Sequence, residues 1–341
     1  MFRPHTGTLL SHRPVASLSF SQAEATGFLF SVYNIIERPQ RIIWLALLSA
    51  MVLTGACSRV PNTDSQPANV RQVVDDSGRT VLVPAKINRV ITLAPNLTEI
   101  VFAIGAGDRL VGNTTYCDYP EAAKTIAKVG DTLQPSVERV IALHPQLILV
   151  STASQLEAFT SQLNDQSIAV YVTDPHDLEG VMRSIKSIGD LLGETDSATR
   201  VINDLQKRTA AVEERVKSAK TVRVFFQLAA EPLYTAGHDA FVTDLIKRAG
   251  GESVTRDVPG AWPRYSAESA IAARPEAIVM ASAESMGGNA NADIAPSLNK
   301  SPAAIAGRVY KINGDYLTRP GPRLVDGLEQ IARALHPQSF K

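Results

Sequence analysis

Ser-Val-Glu-Arg-Val-Ile-Ala-Leu-His-Pro-Gln-Leu-Ile-Leu-Val, at residues 136–150, recurs in related form at residues 266–280 as Ser-Ala-Glu-Ser-Ala-Ile-Ala-Ala-Arg-Pro-Glu-Ala-Ile-Val-Met. In each copy Ser and Glu precede an apolar helical stretch, and a proline ends that helix before a short aliphatic run that suits a buried strand. Two such copies, 130 positions apart, predict two similar lobes. The shared pairs are Ser136 and Ser266, Glu138 and Glu268, Ile141 and Ile271, Ala142 and Ala272, Pro145 and Pro275, and Ile148 and Ile278.

The size and charge of the chain narrow its class. It has 341 residues, of which 45% are hydrophobic, and its 34 basic residues balance its 34 acidic ones. That length can bury a sizeable core and favours two domains. A net charge of zero without a Lys/Arg run gives no electrostatic signature of DNA or RNA binding, so we expect no nucleic-acid partner.

The first 57 residues have the layout of an export signal. Arg38 and Arg41 precede the apolar run 42–54, which is too short to span a membrane comfortably. Two small residues then lead into Cys57, the order of a lipoprotein signal in which that cysteine is acylated, although Thr54 stands where Leu is usual. The alternative is simple cleavage and release. Both predict a periplasmic protein, either free or anchored through Cys57, and residues 1–37 form an unusually long start to the signal.

Residues 58–69 are polar and proline-bearing, which predicts a flexible tether between an anchor and a folded body. Only two cysteines exist, Cys57 and Cys117. A lipidated Cys57 would leave Cys117 without an internal disulfide partner.

Alternating strand and helix patterns predict a Rossmann-like α/β fold with two similar lobes, each built on a central parallel sheet. Residues 70–177 form the N-terminal lobe and residues 221–338 the C-terminal lobe. In the first we expect a hairpin at 73–83, strands at 89–93, 110–111, 147–150 and 169–172, and helices at 96–104 and before each of the last two strands. In the second we expect strands at 222–228 and 309–312, helices at 240–249 and 321–335, and a loop at 284–296.

Residues 178–220 connect the lobes and contain one long amphipathic helix. Between Glu194 and Lys220 apolar positions recur every three or four residues, without Gly or Pro. Two lobes joined in this way leave a cleft, the usual place for a small ligand. The recurring positions are Ala198, Val201, Leu205, Thr209, Val212 and Val216.

Six segments resemble the helix-backbone class, class III, of periplasmic substrate-binding proteins that feed ABC importers for cobalamin, haem and iron siderophores. The resemblance covers about residues 85–338. The Tyr-x-Asp-Tyr-Pro and Trp-Pro segments look most like the cobalamin-binding branch. The segments are Arg89-Val-Ile-Thr-Leu-Ala-Pro-Asn-Leu-Thr-Glu99, Tyr116-Cys-Asp-Tyr-Pro120, the block beginning at Ser136, Phe226-Gln-Leu-Ala-Ala-Glu-Pro-Leu-Tyr-Thr-Ala-Gly237, Trp262-Pro-Arg-Tyr-Ser266 and Gly314-Asp-Tyr-Leu-Thr-Arg-Pro-Gly-Pro-Arg323.

The resemblance implies which residues bind the ligand. A tetrapyrrole offers a broad apolar face with a polar fringe, so its receptor needs aromatic plates and a few polar groups. By this likeness Tyr116, Tyr234 and Trp262 line the cleft, while Asp315 and Arg319 form a polar pair at its rim. Asp118, Tyr119 and Tyr265 are weaker candidates. The competing interpretation of each aromatic is core packing.

The chain departs from the cobalamin pattern near Thr132 and Ser151, where cobalamin binders tend to place tryptophan. Haem is therefore an alternative ligand, with a phenolate of Tyr116 or Tyr234 on iron, as is a ferric siderophore. Cys117 could ligate a metal centre or be a buried inert thiol. We expect no cofactor or metal site of the protein's own.

Glu138 and Glu268 have a second implied role. In the class, the Glu at each position pairs with arginines of a dimeric ABC permease, which works with its ATPase. The competing interpretation is local, with each Glu helping to cap its own helix together with Ser136 or Ser266. We expect the binding protein itself to be a monomer.

An enzymatic function finds little support. The chain has no G-x-S-x-G elbow, phosphate-binding Walker loop, G-x-G-x-x-G or H-E-x-x-H motif. The histidines of the predicted mature chain are scattered without short metal-ligand spacing. An exported hydrolase remains a weak alternative to a binding protein.

Overall fold

The computed structural model describes residues 70–132, 134–151, 163, 168–282 and 293–341. The predicted export signal, Cys57, the tether, the helix expected before residue 169 and most of the loop at 284–296 lie outside these residues.

The N-terminal lobe is built on a parallel four-stranded sheet beside a separate hairpin. The sheet has the strand order β4-β3-β5-β6. The hairpin β1–β2 adjoins edge strand β6, because the amide of Asp76 donates to the carbonyl of Val172 over 3.1 Å. The elements are β1 (Val70–Val74), β2 (Thr80–Pro84), β3 (Val90–Thr92), α1 (Pro95–Ala103), β4 (Leu110–Asn113), α2 (Val137–Ala142), β5 (Leu147–Ser151) and β6 (Ala169–Thr173).

Two helices connect the lobes. Helix α3 (Leu178–Leu192) begins at Asp177, whose carboxylate accepts from the Gly180 amide, and it ends at Gly193 with a φ of 72°. Helix α4 (Thr195–Val216) is the long helix that the sequence predicted, although it stops before Lys220. Of the recurring apolar positions, five are buried, namely Ala198, Leu205, Thr209, Val212 and Val216.

The C-terminal lobe repeats the sheet, in the order β10-β9-β7-β8, with all strands parallel. The short strand β8 was not predicted. The C-terminal helix begins at Leu324, not at Gly321, because residues 321–323 form a turn that the Leu324 amide closes by donating to the Gly321 carbonyl over 3.0 Å. The elements are β7 (Val222–Gln227), α5 (Phe241–Arg248), β8 (Gly251–Ser253), α6 (Ala267–Ala272), β9 (Ala277–Ser282), α7 (Pro302–Ile305), β10 (Val309–Asn313), α8 (Gly314–Thr318) and α9 (Leu324–Leu335).

The two copies of the repeat adopt the same local backbone. His144 and Arg274, which precede the two shared prolines, have φ values of 44° and 46°. Each helix also ends against an arginine at the beginning of a neighbouring strand, with Arg89 directly before β3 and Arg223 within β7. Arg89 donates to the carbonyls of His144 and Leu143, and Arg223 donates to the carbonyl of Ala273 over 2.6 Å. The prediction of two similar lobes is confirmed at this level of detail.

One apolar core runs through both lobes. It contains Leu97 and Ile100 of α1, buried residues of α3 and α4, and Val242 of α5 together with Leu328 of α9. Each lobe has a smaller second cluster of its own on another part of its sheet. The connecting helices are therefore part of the core, so burial of apolar surface links the lobes.

Candidate functional site

The candidate ligand residues follow the carboxyl ends of strands in both lobes. In the N-terminal sheet β3 lies between β4 and β5, and in the C-terminal sheet β7 lies between β8 and β9. The strand order therefore reverses at β3 and at β7. Ligands of open α/β sheets bind at the carboxyl ends of the strands beside such a reversal. Tyr116, Asp118 and Tyr119 follow β4, Tyr234 follows β7, Trp262 and Tyr265 follow β8, and Asp315 and Arg319 follow β10.

Lys128 fixes the loop that follows β4. Its ammonium donates to the Asn113 side-chain oxygen over 2.8 Å and to the carbonyls of Cys117 and Ala123 over 2.9 and 3.2 Å. Burial lowers the pKa of Lys128, although the nearby carboxylate of Asp118 opposes that shift. Cys117 is buried, with its Sγ 3.2 Å from the hydroxyl oxygen of Thr114. A hydrogen-bonded frame thus supports the loop.

Two tyrosines of this loop are exposed. The exposed fractions are 49% for Tyr116 and 47% for Tyr119, and both are among the most exposed large apolar residues of the described chain. Core packing therefore does not explain either ring. Both are free to serve as apolar plates for a ligand.

The aromatic residues of the C-terminal lobe are partly packed into its interior. The Trp262 ring centroid lies 5.6 Å from that of Phe241, at a nearly perpendicular angle, and 6.2 Å from that of Phe226. Tyr265 lies 6.1 Å from Phe225. Tyr234 is half-buried and forms backbone bridges to Ala229 and Arg264. These side chains combine a packing role with a remaining exposed edge.

Arg319 joins the two lobes through carboxylates. Its Nη1 lies 2.7 Å from Asp118 Oδ1 and 3.4 Å from Glu99 Oε1, both in the N-terminal lobe. Its Nε lies 2.8 Å from Asp315 Oδ1. The predicted polar pair Asp315 and Arg319 is therefore present, but both residues are buried, and Arg319 is engaged with the opposite lobe.

Arg323 makes a second junction that the sequence did not predict. Its Nε and Nη2 donate to the two oxygens of Glu99 over 2.9 and 2.5 Å, and Nη2 lies 3.4 Å from Asp315 Oδ2. Its guanidinium carbon lies 4.0 Å from the centroid of the exposed Tyr119 ring, a cation–π distance. Arg323 thus sets the position of one aromatic plate and holds the lobes together.

The charges of this cluster reinforce each other. Partial burial works against the ionised form of Asp118, but the hydrogen bond from Arg319 and the positive charges of Arg319 and Arg323 outweigh it, so the pKa of Asp118 is lowered. For Arg323 burial opposes the charged form, but hydrogen bonds and the charges of Glu99 and Asp315 prevail and raise its pKa. The lowered pKa of Asp118 and the raised pKa of Arg323 both favour the charged forms of these two groups.

Glu138 and Glu268 lie at the same edge of the two sheets. Helices α2 and α6 run back toward the amino ends of β5 and β9, which places their own first turns at the carboxyl edges. Both carboxylates are exposed, and neither has a hydrogen bond or ion pair within the described ranges. The serines cap the helices alone, since Ser136 accepts from the Arg139 amide and Ser266 from the Ser269 amide.

Two cavities lie away from this edge. One, of about 420 Å³, lies against α4 and α5 and is lined by charged groups such as Glu213 and Arg248. The other, of about 470 Å³, lies near the C-terminus around His336. Neither contains a predicted ligand residue.

The described ranges bear on two further kinds of feature, a metal site and a membrane-spanning helix. No group of three His, Cys, Asp or Glu side chains there is placed to hold a metal ion. No helix in the same ranges combines the length and apolar character needed to cross a bilayer.

Comparison with known proteins agrees with the two repeated sheets. The family described as "Periplasmic binding protein" matches residues 90–316, most of the folded body. The chain belongs to this family. Its relatives place this periplasmic binding protein in the helix-backbone class, class III, which serves vitamin B12, haem and siderophores.

Three similar proteins illustrate the range of that class. The uncharacterised ABC transporter substrate-binding lipoprotein YvrC of Bacillus subtilis is 30% identical over 88% of this chain and 98% of its own length. The vitamin B12 binding protein BtuF of Vibrio cholerae is 25% identical with a TM-score of 0.64, covering 75% of this chain and 98% of its own. A haem-binding protein of Pseudomonas aeruginosa is 27% identical with a TM-score of 0.66, covering 74% and 93%. The periplasmic binding protein described here is thus a substrate-binding component of an ABC transporter.

Proposed function

We propose that the protein captures cobalamin, or a related corrinoid, between its lobes and delivers it to an inner-membrane ABC permease. The observation that carries this proposal is the pair of exposed tyrosines at the carboxyl edge, Tyr116 and Tyr119, beside the cluster that joins the lobes. Its action is capture, not catalysis. The similarity to vitamin B12 binding proteins supports the same ligand class.

The chemistry of the edge suits a large, flat and partly polar ligand. Tyr116 and Tyr119 supply apolar faces from the N-terminal lobe, and the exposed parts of Tyr234 and Trp262 supply them from the C-terminal lobe. Stacking on such rings stabilises a macrocycle, while charged groups at its fringe fix its orientation.

Haem is the second candidate. The chain has Thr132 and Ser151 where aromatic contact to a corrin is expected, and both are half-buried near the same edge. Haem-binding proteins are as similar in structure as vitamin B12 binders. A phenolate from Tyr116 or Tyr234 would be the ligand to iron.

Co-elution separates these ligands. The mature domain would be incubated with cyanocobalamin, with haemin and with a ferric hydroxamate in turn, passed through a gel-filtration column and monitored by visible absorbance. We expect cyanocobalamin to elute with the protein. Exclusive co-elution of haemin would transfer the assignment to haem, and co-elution of neither tetrapyrrole would reject the tetrapyrrole class.

We further propose that Glu138 and Glu268 dock onto basic groups of the permease subunits. Two exposed, unpaired carboxylates at equivalent positions of the lobes support this role, because serine hydroxyls already cap the helices. Replacing both by Gln should leave ligand binding unchanged and reduce uptake into vesicles that contain the permease and its ATPase. Replacing the exposed Glu121 and Glu214 by Gln is the charge-matched control. Normal uptake by the first variant would rule out docking through these groups.

Export to the periplasm with a lipid anchor at Cys57 completes the proposal. The similarity to a substrate-binding lipoprotein supports it. Replacing Cys57 by Ser should move the protein from the detergent phase to the aqueous phase in a partition experiment. If the unchanged protein already partitions into the aqueous phase, the protein is released by simple cleavage.

A further inference from the structure

We propose that Asp118 is a specificity-determining residue: by occupying Arg319, it disfavours tetrapyrroles with ionised carboxylate side chains relative to tetrapyrroles with amide side chains. This inference rests on the proposed capture of a tetrapyrrole. It deepens the proposed preference for a corrinoid over haem by naming a residue that would impose it.

Asp118 is the outermost member of the cluster around Arg319. The side chain of Asp118 is 44% exposed, whereas those of Arg319 and Glu99 are 8% and 2% exposed. A ligand approaching from solvent therefore meets the carboxylate of Asp118 before it can reach the guanidinium. The 2.7 Å contact of Asp118 Oδ1 with Arg319 Nη1 occupies a donor that an acidic ligand would need.

The balance of charges in the cluster also disfavours an acidic ligand. Three carboxylates, those of Glu99, Asp118 and Asp315, surround two guanidinium groups, those of Arg319 and Arg323. The cluster has one negative charge in excess, and its accessible member is negative. Like charges brought together in a partly desolvated site repel each other strongly.

The second arginine is also engaged with carboxylates. Nε and Nη2 of Arg323 are held by Glu99, and Nη2 also lies near Asp315. The Tyr119 ring stacks on the same guanidinium. An acidic ligand that binds Nη1 of Arg319 must therefore displace Asp118 and separate that carboxylate from its arginine, a change that is costly for a partly buried charge.

A ligand with amide side chains makes no such demand. An amide can donate to the exposed oxygen of Asp118 while the contact with Arg319 stays in place. The same cluster therefore accepts one kind of side chain as it stands and must rearrange for the other.

Two corrins with the same ring test this proposal: dicyanocobinamide, whose side chains are amides, and dicyanocobyrinic acid, whose side chains are carboxylates. Binding of each would be measured by quenching of tryptophan fluorescence at low salt, with the unchanged protein and with Asp118→Asn. We expect Asp118→Asn to bind the acid about tenfold more tightly, whereas its affinity for the amide should not rise. The gain should shrink at high salt, as expected for a partly exposed charge.

Two variants serve as controls. Asp118→Glu keeps the charge and should keep the selectivity of the unchanged protein, which also shows that the loop tolerates substitution. Glu214→Gln removes one exposed charge from α4 and should alter neither affinity.

The outcomes separate this inference from the proposed function. Equal changes for both corrins in Asp118→Asn, or no change for the acid, would overturn the role of Asp118 while leaving capture of corrinoids intact. Failure of the unchanged protein and of Asp118→Asn to bind either corrin would reject the proposed corrinoid function, and this inference with it.

Discussion

Arg323 and Glu99 form a two-pronged salt bridge across the junction of the lobes, with Nε 2.9 Å from one carboxylate oxygen and Nη2 2.5 Å from the other. These residues are 224 positions apart, so the contact exists only when both lobes are folded and correctly placed. Both side chains are largely buried, which makes each depend on the other.

Removing either partner should destabilise the protein strongly. We expect Glu99→Gln or Arg323→Met to lower the free energy of unfolding by about 3 kcal/mol, because the remaining charge would be buried without a full partner. Urea denaturation followed by circular dichroism measures this change. Glu121→Gln, which breaks an exposed pair with Lys124, should change it by less than about 0.5 kcal/mol. If Glu99→Gln and Arg323→Met change the free energy of unfolding as little as Glu121→Gln does, the cross-lobe pair does not stabilise the fold.

Tyr116 and Trp262 should respond differently to replacement by Ala. Tyr116→Ala should weaken ligand binding with little change in stability, because the ring is exposed. Trp262→Ala should also lower the free energy of unfolding by about 2–3 kcal/mol, since its ring packs on Phe226 and Phe241. Thermal denaturation and ligand titration of both variants test this. A stable Tyr116→Ala variant with full affinity would place the ligand elsewhere.

Lys128 should control the order of the loop after β4. Lys128→Met removes the ammonium that donates to Asn113, Cys117 and Ala123, so amide hydrogens of residues 114–128 should exchange at least about tenfold faster. Lys124→Met is the matched control, because Lys124 is exposed and its ammonium donates to Glu121 on the surface. Equal exchange rates in both variants would mean that backbone contacts alone order the loop.

Asp75, in the turn of the β1–β2 hairpin, should make the free energy of unfolding depend on pH in the acid range. Burial works against its ionised form, but hydrogen bonds from Ser77 and Arg79 outweigh it and lower the pKa of Asp75. A carboxyl whose pKa is lower in the folded state stabilises the protein fully above the unfolded pKa of about 4, and that stabilisation is lost as pH falls through the lowered folded value.

Asp75→Asn should therefore lower the free energy of unfolding at pH 7. The difference in free energy of unfolding between this variant and the unchanged protein should become smaller as pH falls below about 4. Urea denaturation at a series of pH values measures both. A constant gap across that range would mean that ionisation of Asp75 does not contribute.

Much of the fold can be predicted from local sequence patterns, namely the spacing of apolar residues and the duplicated block. The spacing of Leu205, Val212 and their neighbours predicts α4, and the duplicated block predicts α2 with β5 and α6 with β9. Strand β8 was not predicted because its three residues, which begin with Gly251, are too few to show an alternation of apolar and polar side chains. The start of α9 was placed too early because Gly321 looks like a boundary, whereas the chain turns once more before Leu324.

The cross-lobe cluster could not be predicted in the same way. The resemblance pointed to Asp315 and Arg319 but gave no partner in the other lobe. Glu99 did carry a usable signal, because a carboxylate beside the apolar residues Ile100 and Val101 of a core helix needs a buried cation. Which cation fulfils that need depends on how the lobes meet, and no spacing along the chain encodes it.

The duplicated helix starts also affect how the protein meets a partner. Glu138 and Glu268 occupy equivalent positions on two lobes whose sheets have the same strand order, so each lobe presents one exposed carboxylate. In the proposed docking, a partner with two identical basic sites would pair either site with either lobe, which gives two productive pairings where a receptor without the repeat has one. The duplication would then raise the rate of productive encounters without any added affinity.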